Sequence, residues 1–331
     1  MKGIKITGTG SYAPPRTVSN QDYTRIVDTS DQWITTRTGI KSRHFVQDEP
    51  TWLLGYNAAV KAMEAAGVTA GEIDLLLVTT VTSDFFAPSL ACILQGKLEM
   101  ENGICMDVNC GCAGFVYALD MARRYIACGD VKTALIVSCE ALTKLTNFAD
   151  RSTCVLFGDG AGACVVQGGE GEYACDFGAD GKGASLLYAR TQHEGNPFYP
   201  LSGERGDYAD LPDNGLRTLY MDGKEVYKFA VKALPKTVKA CCEKLGVTTA
   251  AVDKVIPHQA NLRIIKTAAD AMDIPMEKMF CNIDRYGNTS SASIPIALDE
   301  AVRSGFVREG ELVALAGFGA GVTYGSVLFR L

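Results

Sequence analysis

Residues 104–128 read ICMDVNCGCAGFVYALDMARRYIAC, and the rest of the chain is organised around them. The run Ile104 to Val108 is apolar and strand-like. Asn109, Cys110 and Gly111 form a tight turn of small residues. Beyond it, Phe115, Leu119, Ala122 and Ile126 recur at spacings of four, three and four, which marks one face of a helix. Cys112 stands where the turn becomes the helix. Strand, sharp turn, nucleophile, helix is the layout that lifts a reactive atom to the edge of a sheet. Backbone N–H groups and the positive end of the helix dipole favour a thiolate there. The expectation is a Cys112 pKa lowered from about 8.5 into the range ~3.5–7.5. Most cysteines are small buried thiols; placement singles this one out.

Working outward, 331 residues suffice for two domains or one duplicated domain with a large core. A hydrophobic content of 47% with 21% charged residues is that of a soluble globular protein. The net charge of −6 argues against a general nucleic-acid binder, so an acidic partner must be met by a local basic patch. The twelve cysteines include no C-x-x-C pair: Cys164, Cys175 and Cys281 stand singly in apolar runs, Cys110 and Cys112 are two apart, and Cys241 and Cys242 are adjacent, beside three histidines in all. That pattern predicts no metal site and reduced thiols in a cytoplasm. No run approaches the ~18 apolar residues of a membrane span, and MKGIKITGTGSYAPP reads as a first strand, not a signal peptide.

Strands are expected at Ile4–Gly10, Leu75–Val78, Ala134–Ser138 and Ala161–Val166, and helices at Thr51–Gly67 and Gly223–Leu245, the latter with Pro235 placed to kink it. Ser30 is a candidate cap for a short helix carrying Trp33 and Arg37 at i, i+4. Residues 169–214, rich in Gly, Asp and Pro, read as hairpins and a long excursion. The chain then repeats itself. Gly67-Val68-Thr69 with Asp74 returns as Gly246-Val247-Thr248 with Asp253, and Ala118-Leu119-Asp120 returns as Ala297-Leu298-Asp299, both at an offset of 179. GDGAG at Gly158 and GFGAG at Gly317 pair at the shorter spacing of 159. Two halves, 1–170 and 171–331, imply a layered α/β fold with the active site at their seam.

By the same offset Thr79 matches His258 and Ser291 matches Cys112. His258, at the end of the strand in VIPHQAN, and Asn288, in the polar turn YGNTSS, therefore come to the nucleophile's seam. Cys, then His 146 residues later, then Asn is also the chain order of papain-like cysteine hydrolases. Against that reading, Ala113 and not an aromatic follows the cysteine, which lies deep in the chain. FGDGAG is too short and wrongly placed for a dinucleotide fingerprint, so no NAD is expected.

The blocks CGCAGF around Cys112, DRSTCVLFGDGAGA, IPHQANLRII, YGNTSSASIP and GFGAGVTYGS, with TRTGIKSRH near the start, run in order over nearly the whole chain. Together they resemble the β-ketoacyl-acyl-carrier-protein synthase III family of the thiolase superfamily. The resemblance implies a duplicated, five-layered α/β/α/β/α fold and a homodimer. It also implies the decarboxylative Claisen condensation of an acyl-CoA primer with malonyl-acyl carrier protein that initiates fatty-acid synthesis, with no cofactor. A related enzyme loading a polyketide pathway, or a thiolase-fold protein that only binds acyl-CoA, are the neighbouring alternatives.

The same resemblance implies roles. Cys112 carries the acyl group. His258 and Asn288 donate hydrogen bonds to the malonyl thioester oxygen, and the backbone N–H groups of Cys112 and Ala320 form an oxyanion hole, Ala320 standing where the family often has glycine. Trp33 and Arg151 match the pair that sandwiches the CoA adenine, with Arg37 beside them; Lys224 stands at the family's CoA-contacting asparagine. Lys224, Lys228, Lys232 and Lys236 form a helix stripe, and Lys228, with Arg263 and Lys266, is the expected docking patch for the acidic carrier protein. Two positions further along that are basic in some members are Asp270 and Ala271 here. In TSDFFAPSLAC the residue before Pro88 closes the primer pocket of the neighbouring subunit, with a bulky aromatic in acetyl-selective members. Here it is Ala87, with Phe86 one place earlier, so longer or branched acyl groups are expected.

Overall fold

The computed structural model describes residues 3–190 and 218–331. The first sheet is built from β1 (Gly3–Tyr12), β2 (Leu75–Thr79), β3 (Ile104–Val108), β4 (Thr133–Ala141) and β5 (Asp159–Gly169), in the order β1-β5-β4-β2-β3. The pairs β4–β2 and β2–β3 are parallel; β1–β5 and β5–β4 are antiparallel. The second sheet contains β6 (Tyr173–Ala179), β7 (Lys254–Pro257), β8 (Leu312–Gly319) and β9 (Thr323–Arg330), in the order β7-β8-β9-β6, parallel only between β7 and β8.

Strand alternation shows how the layers stack. On β2, Leu75 and Leu77 join the central core while Leu76 and Val78 join an outer one, because a sheet covered on both faces buries every residue. The central core holds α4 (Gly114–Cys128) and α7 (Ser293–Arg303) between the two sheets, with Phe115, Leu119 and Ala122 fully buried against Ile256, Leu315 and Phe329. Outside the first sheet lie α2 (Thr51–Ala66) and α3 (Leu90–Lys97). Outside the second lie α5 (Gly223–Leu245) and α6 (Leu262–Met272). The order is helix, sheet, helix, sheet, helix. Pro235 sits within α5, which runs unbroken over 23 residues.

The offset of 179 recurs as structure. Gly67 and Gly246 close α2 and α5 in the left-handed region (φ 67° and 70°). One-turn 3₁₀ segments at 111–113 and 290–292 precede α4 and α7. Asp74 accepts from the N–H of Thr133 at 3.0 Å, and Asp253 from that of Leu312 at 2.8 Å. The correspondence breaks at β3, whose counterpart is the short helix Ile283–Tyr286. Ile283 is buried there among Tyr23, Ile34 and Ile40. Of the expected excursion at 169–214, the first part forms β6 and a short pairing of Leu187–Tyr188 with Tyr220–Met221. Residues 191–214 lie outside the described residues. No helix among the described residues is long and apolar enough to cross a membrane.

Candidate active site

Cys112 lies in the middle of the 3₁₀ turn Gly111–Ala113, at the end of β3 and just before α4. Gly111 takes φ 53°, and a Cβ there would come within 2.8 Å of the Ala320 nitrogen; a Cβ on Gly319 would sit 2.3 Å from the Cys112 nitrogen. Glycine at both positions lets the GFGAG turn close directly on the nucleophile turn, and the Thr323 hydroxyl ties the two by donating to the Cys110 carbonyl at 2.7 Å. Ala320 thus reaches Cys112 across the seam. The expected lowering of the Cys112 pKa is reversed. Burial pushes the thiol up to about 12, the Ser290 hydroxyl opposes the rise and the Glu140 charge adds to it. Desolvation at the sulfur outweighs a helix terminus that begins only at Gly114.

His258 follows β7, is 1% exposed, and packs edge-on against Phe318 with ring centroids 5.2 Å apart. Burial lowers its pKa to about 3, so the imidazole is neutral. Its Nδ1 is 2.6 Å from the Ser293 hydroxyl, which also accepts from the Gln259 N–H at 3.2 Å. Asn288 is held by its backbone: its N–H donates to the Leu156 carbonyl at 2.8 Å, and its carbonyl accepts from Gly158 at 3.0 Å. Its side-chain oxygen accepts from the Ser290 N–H at 2.9 Å, which leaves the amide NH₂ as the outward group. The second imidazole nitrogen is thus held by Ser293, not by Asn288. The Cys–His–Asn relay of the cysteine-hydrolase reading is not assembled.

One cavity of about 1390 Å³ is lined by Cys112, His258, Asn288, Phe318 and Ala320 and, elsewhere on the same surface, by Trp33, Arg37, Lys224, Lys228 and Arg263. Ser30 caps α1 (Asp31–Thr38) by accepting from the Trp33 N–H at 3.1 Å. Both Arg37 and Arg151 lie over the Trp33 ring, at 4.8 and 4.9 Å from its centroid. Lys228 is paired with Glu225 at 2.6 Å, and Arg263 rests over Tyr227 at 5.8 Å. Lys266 is exposed on α6 and does not line the cavity. Phe86 lines it and is 88% exposed; Ala87, beside it, does not line it.

Sequence reading missed Ser290, Ser293 and Glu140. The duplication held the signal for the first: Ser290 is the counterpart of Gly111 and shares its left-handed backbone, φ 50° against 53°. Glu140 showed only as a lone acid in the apolar run IVSCEAL.

Residues 106–181 match the family model for 3-oxoacyl-[acyl-carrier-protein (ACP)] synthase III, and residues 242–331 match the model of its C-terminal part. The chain is 48% identical to the beta-ketoacyl-[acyl-carrier-protein] synthase III of Xanthomonas campestris pv. campestris, over 98% of each chain. It is 43% identical to that of Clostridium acetobutylicum, over 100% of this chain and 99% of the other. The crystal structure of 3-oxoacyl-[acyl-carrier-protein] synthase III from Aquifex aeolicus VF5 superposes with a TM-score of 0.90 at 41% identity, covering 99% of this chain and 100% of that one. With a thiolase-like pair of sheets and this likeness over its full length, the chain belongs to the 3-oxoacyl-[acyl-carrier-protein] synthase III family.

Proposed function

We propose that the chain condenses an acyl-CoA primer with malonyl-acyl carrier protein, releasing carbon dioxide and CoA and giving the 3-oxoacyl-acyl carrier protein that starts fatty-acid synthesis. Cys112 attacks the primer thioester and holds the acyl group, dividing one difficult step into two. In the second step the malonyl thioester oxygen gains charge as carbon dioxide leaves. The Ser293 hydroxyl accepts from Gln259, which leaves its own proton for Nδ1 of His258; the imidazole proton then sits on Nε2, ready to donate to that oxygen beside the Asn288 amide. The carbanion attacks the acyl carbon, the backbone N–H groups of Cys112 and Ala320 meet the oxyanion, and the Cys112 thiolate departs.

The observation that carries this reading is the single cavity shared by the Cys112–His258–Asn288 cluster and by Trp33, Arg37 and Lys224. On this reading Trp33, Arg37, Arg151 and Lys224 hold CoA, and Lys228, Arg263 and Lys266 receive the carrier protein. Ala87 and Phe86 close the primer pocket of a second subunit. The homodimer is supported by the edge strand β3, where Ile104 is 41% exposed, and by Phe85 and Phe86, exposed on the loop after β2. On this reading the half 1–170 carries the nucleophile and the half 171–331 carries His258 and Asn288, and the unpaired thiols fit a cytoplasmic protein. Peptide mass spectrometry after incubation with an acyl-CoA tests the reading: the acyl mass belongs on Cys112, and malonyl-acyl carrier protein must discharge it. An acyl mass on another cysteine refutes the assignment.

A further inference from the structure

Arg43, in the block TRTGIKSRH, has no solvent exposure at all. Its hydrogen bonds among the described residues all go to neutral oxygens. Nη1 donates to the Asn20 side-chain oxygen at 2.8 Å and to the Val18 carbonyl at 3.4 Å, and Nη2 donates to the Val155 carbonyl. Its Nε is buried with no partner among the described residues, and the guanidinium lies over the Tyr23 ring, 4.6 Å from the centroid. Taking a cation out of water with no carboxylate beside it opposes folding, so its neighbours are where a compensating role is to be found. They are the groups that grip Asn288. The Tyr23 hydroxyl donates to the Cys154 carbonyl at 2.7 Å, and Arg43 holds the next carbonyl, that of Val155. The three residues that follow hold Asn288 by its main chain. The Leu156 carbonyl accepts from its N–H at 2.8 Å, Phe157 bridges to it in parallel, and the Gly158 N–H donates to its carbonyl at 3.0 Å. The root of the Arg43 side chain enters the same place. A Cβ on Gly158 would come 3.0 Å from the Arg43 Cβ, and one on Gly287, the residue before Asn288, 3.3 Å from it. Arg43 therefore packs against both sides of the grip as well as bonding to its first member.

Resting on the reading of Asn288 as a donor to the malonyl thioester oxygen, we propose that Arg43 is a positioning residue for that donor: it pins residues 155–158, and they set where the Asn288 amide stands in the cavity. Val155, Leu156 and Phe157 line the cavity with Asn288, and Arg43 does not, so its effect reaches the reaction through them. The Asn288 side-chain oxygen is already given to the Ser290 N–H at 2.9 Å. With that bond made, a shift of the main chain at 288 moves the amide NH₂ directly. The planar fork of the guanidinium reaches Asn20 and Val155 at once, which a single ammonium does not reproduce. Cys112 and His258 hang from other supports: the 111–113 turn closed against GFGAG, and the end of β7 with Ser293. Loss of Arg43 is therefore felt in the step that uses Asn288, which is condensation, and not in acylation of Cys112.

The test measures the two half-reactions separately: single-turnover acylation by an acyl-CoA, read by mass spectrometry, and discharge of the acyl-enzyme by malonyl-acyl carrier protein. Arg43→Met and Arg43→Lys are each made alone and in an Asn288→Ala background. Arg43→Met is expected to slow discharge about tenfold to a hundredfold, the scale of a donor displaced by about 1 Å, while acylation changes by less than about twofold. Arg43→Lys keeps the charge without the fork and is expected to recover little of the loss. In the Asn288→Ala background neither substitution at 43 slows discharge further, because no donor is left to misplace. A merely structural role gives the opposite pattern: both half-reactions fall together, and the loss persists undiminished when Asn288 is absent. Equal slowing of the half-reactions, or additive losses, overturns the proposal. So does discharge at the wild-type rate in either variant, and Arg43→Lys alone suffices for the cycle should Arg43→Met fail to fold. An Asn288→Ala enzyme that discharges as fast as wild type refutes the reading of Asn288 and the positioning together; a slow Asn288→Ala beside unslowed Arg43 variants refutes the positioning alone.

Discussion

His258 is neutral because it is buried, and that has a measurable consequence for stability. Its folded pKa of about 3 lies below the ordinary value of 6.5, so between those values the unfolded chain binds more protons than the folded one. The contribution is fully present above pH 6.5 and is lost as the pH falls toward 3, at up to about 1.4 kcal/mol per pH unit. Thermal melting from pH 7 to pH 5 should therefore fall less steeply in His258→Gln than in wild type. Equal slopes would place the imidazole in contact with water. For the chemistry, His258→Ala and Asn288→Ala should still acquire the acyl group from CoA but lose about 10²–10³ in condensation, the usual cost of one oxyanion donor. Ser293→Ala should retain acylation and lose up to about tenfold in condensation, because one hydrogen bond worth roughly 0.5–1.5 kcal/mol no longer sets the tautomer. A Ser293→Ala enzyme slowed equally in both half-reactions would contradict that division.

The short helix α1 and the outer pair α5 and α6 shape the way in. In α1 the Ser30 cap fixes Trp33, and Arg37 one turn on stacks over it, while Arg151 comes from a separate element to the same ring. A CoA adenine against Trp33 must displace one guanidinium, exchanging a cation–π contact of about 0.5–1 kcal/mol for base stacking worth about 1–3 kcal/mol. Trp33→Ala should raise the KM for acyl-CoA about tenfold with little change in kcat. The chain has two tryptophans, so Trp52→Phe leaves Trp33 as the single fluorophore; a CoA titration that leaves its emission unchanged would refute the stacking. On α5 and α6 the charges differ in what they can offer. Lys228 is already neutralised by Glu225, whereas Arg263 lies over a tyrosine ring. Arg263→Glu should therefore weaken use of malonyl-acyl carrier protein severalfold more than Lys228→Glu, with the difference shrinking as salt rises.

For the molecule as a whole, the uneven ends of the two sheets are informative. The first sheet ends at β3, an edge strand in which only Val108 is buried, while the second has a short helix at the corresponding place. On the dimer reading, the exposed parallel edge carrying Ile104 is a surface for a second copy to cover. Light scattering should report a dimer for wild type and a lower mass for Ile104→Arg; a monomeric wild type would refute the shared primer pocket. If Ala87 faces that pocket, a missing aromatic ring leaves room for several methylenes, each worth about 0.8 kcal/mol when buried. Competition among acetyl-, butyryl-, isobutyryl- and hexanoyl-CoA should then favour the longer or branched primers, and Ala87→Phe should restore acetyl preference. Acetyl preference in wild type, unchanged by the substitution, would remove Ala87 from the gate.

The periodicity of Phe115, Leu119 and Ala122, the offset shared by Gly67 with Gly246 and by Asp120 with Asp299, and the strand-end place of His258 were legible in the chain, because burial imposes its period on local sequence. From these alone follow the duplicated layered fold and the meeting of Cys112, His258 and Asn288 at one seam. Other features only the tertiary structure decided. The thiol of Cys112 rises instead of falling because desolvation is summed over neighbours that local pattern does not count. The loss of the strand opposite β3 is set by how Ile283 packs among Tyr23, Ile34 and Ile40. Glu140 comes from one segment and Ser290 and Ser293 from another far along the chain, and nothing in their own surroundings tells which side chain each will meet. Hydrogen bonds between residues far apart in the chain leave no period behind, so their partners exist only once the halves have closed.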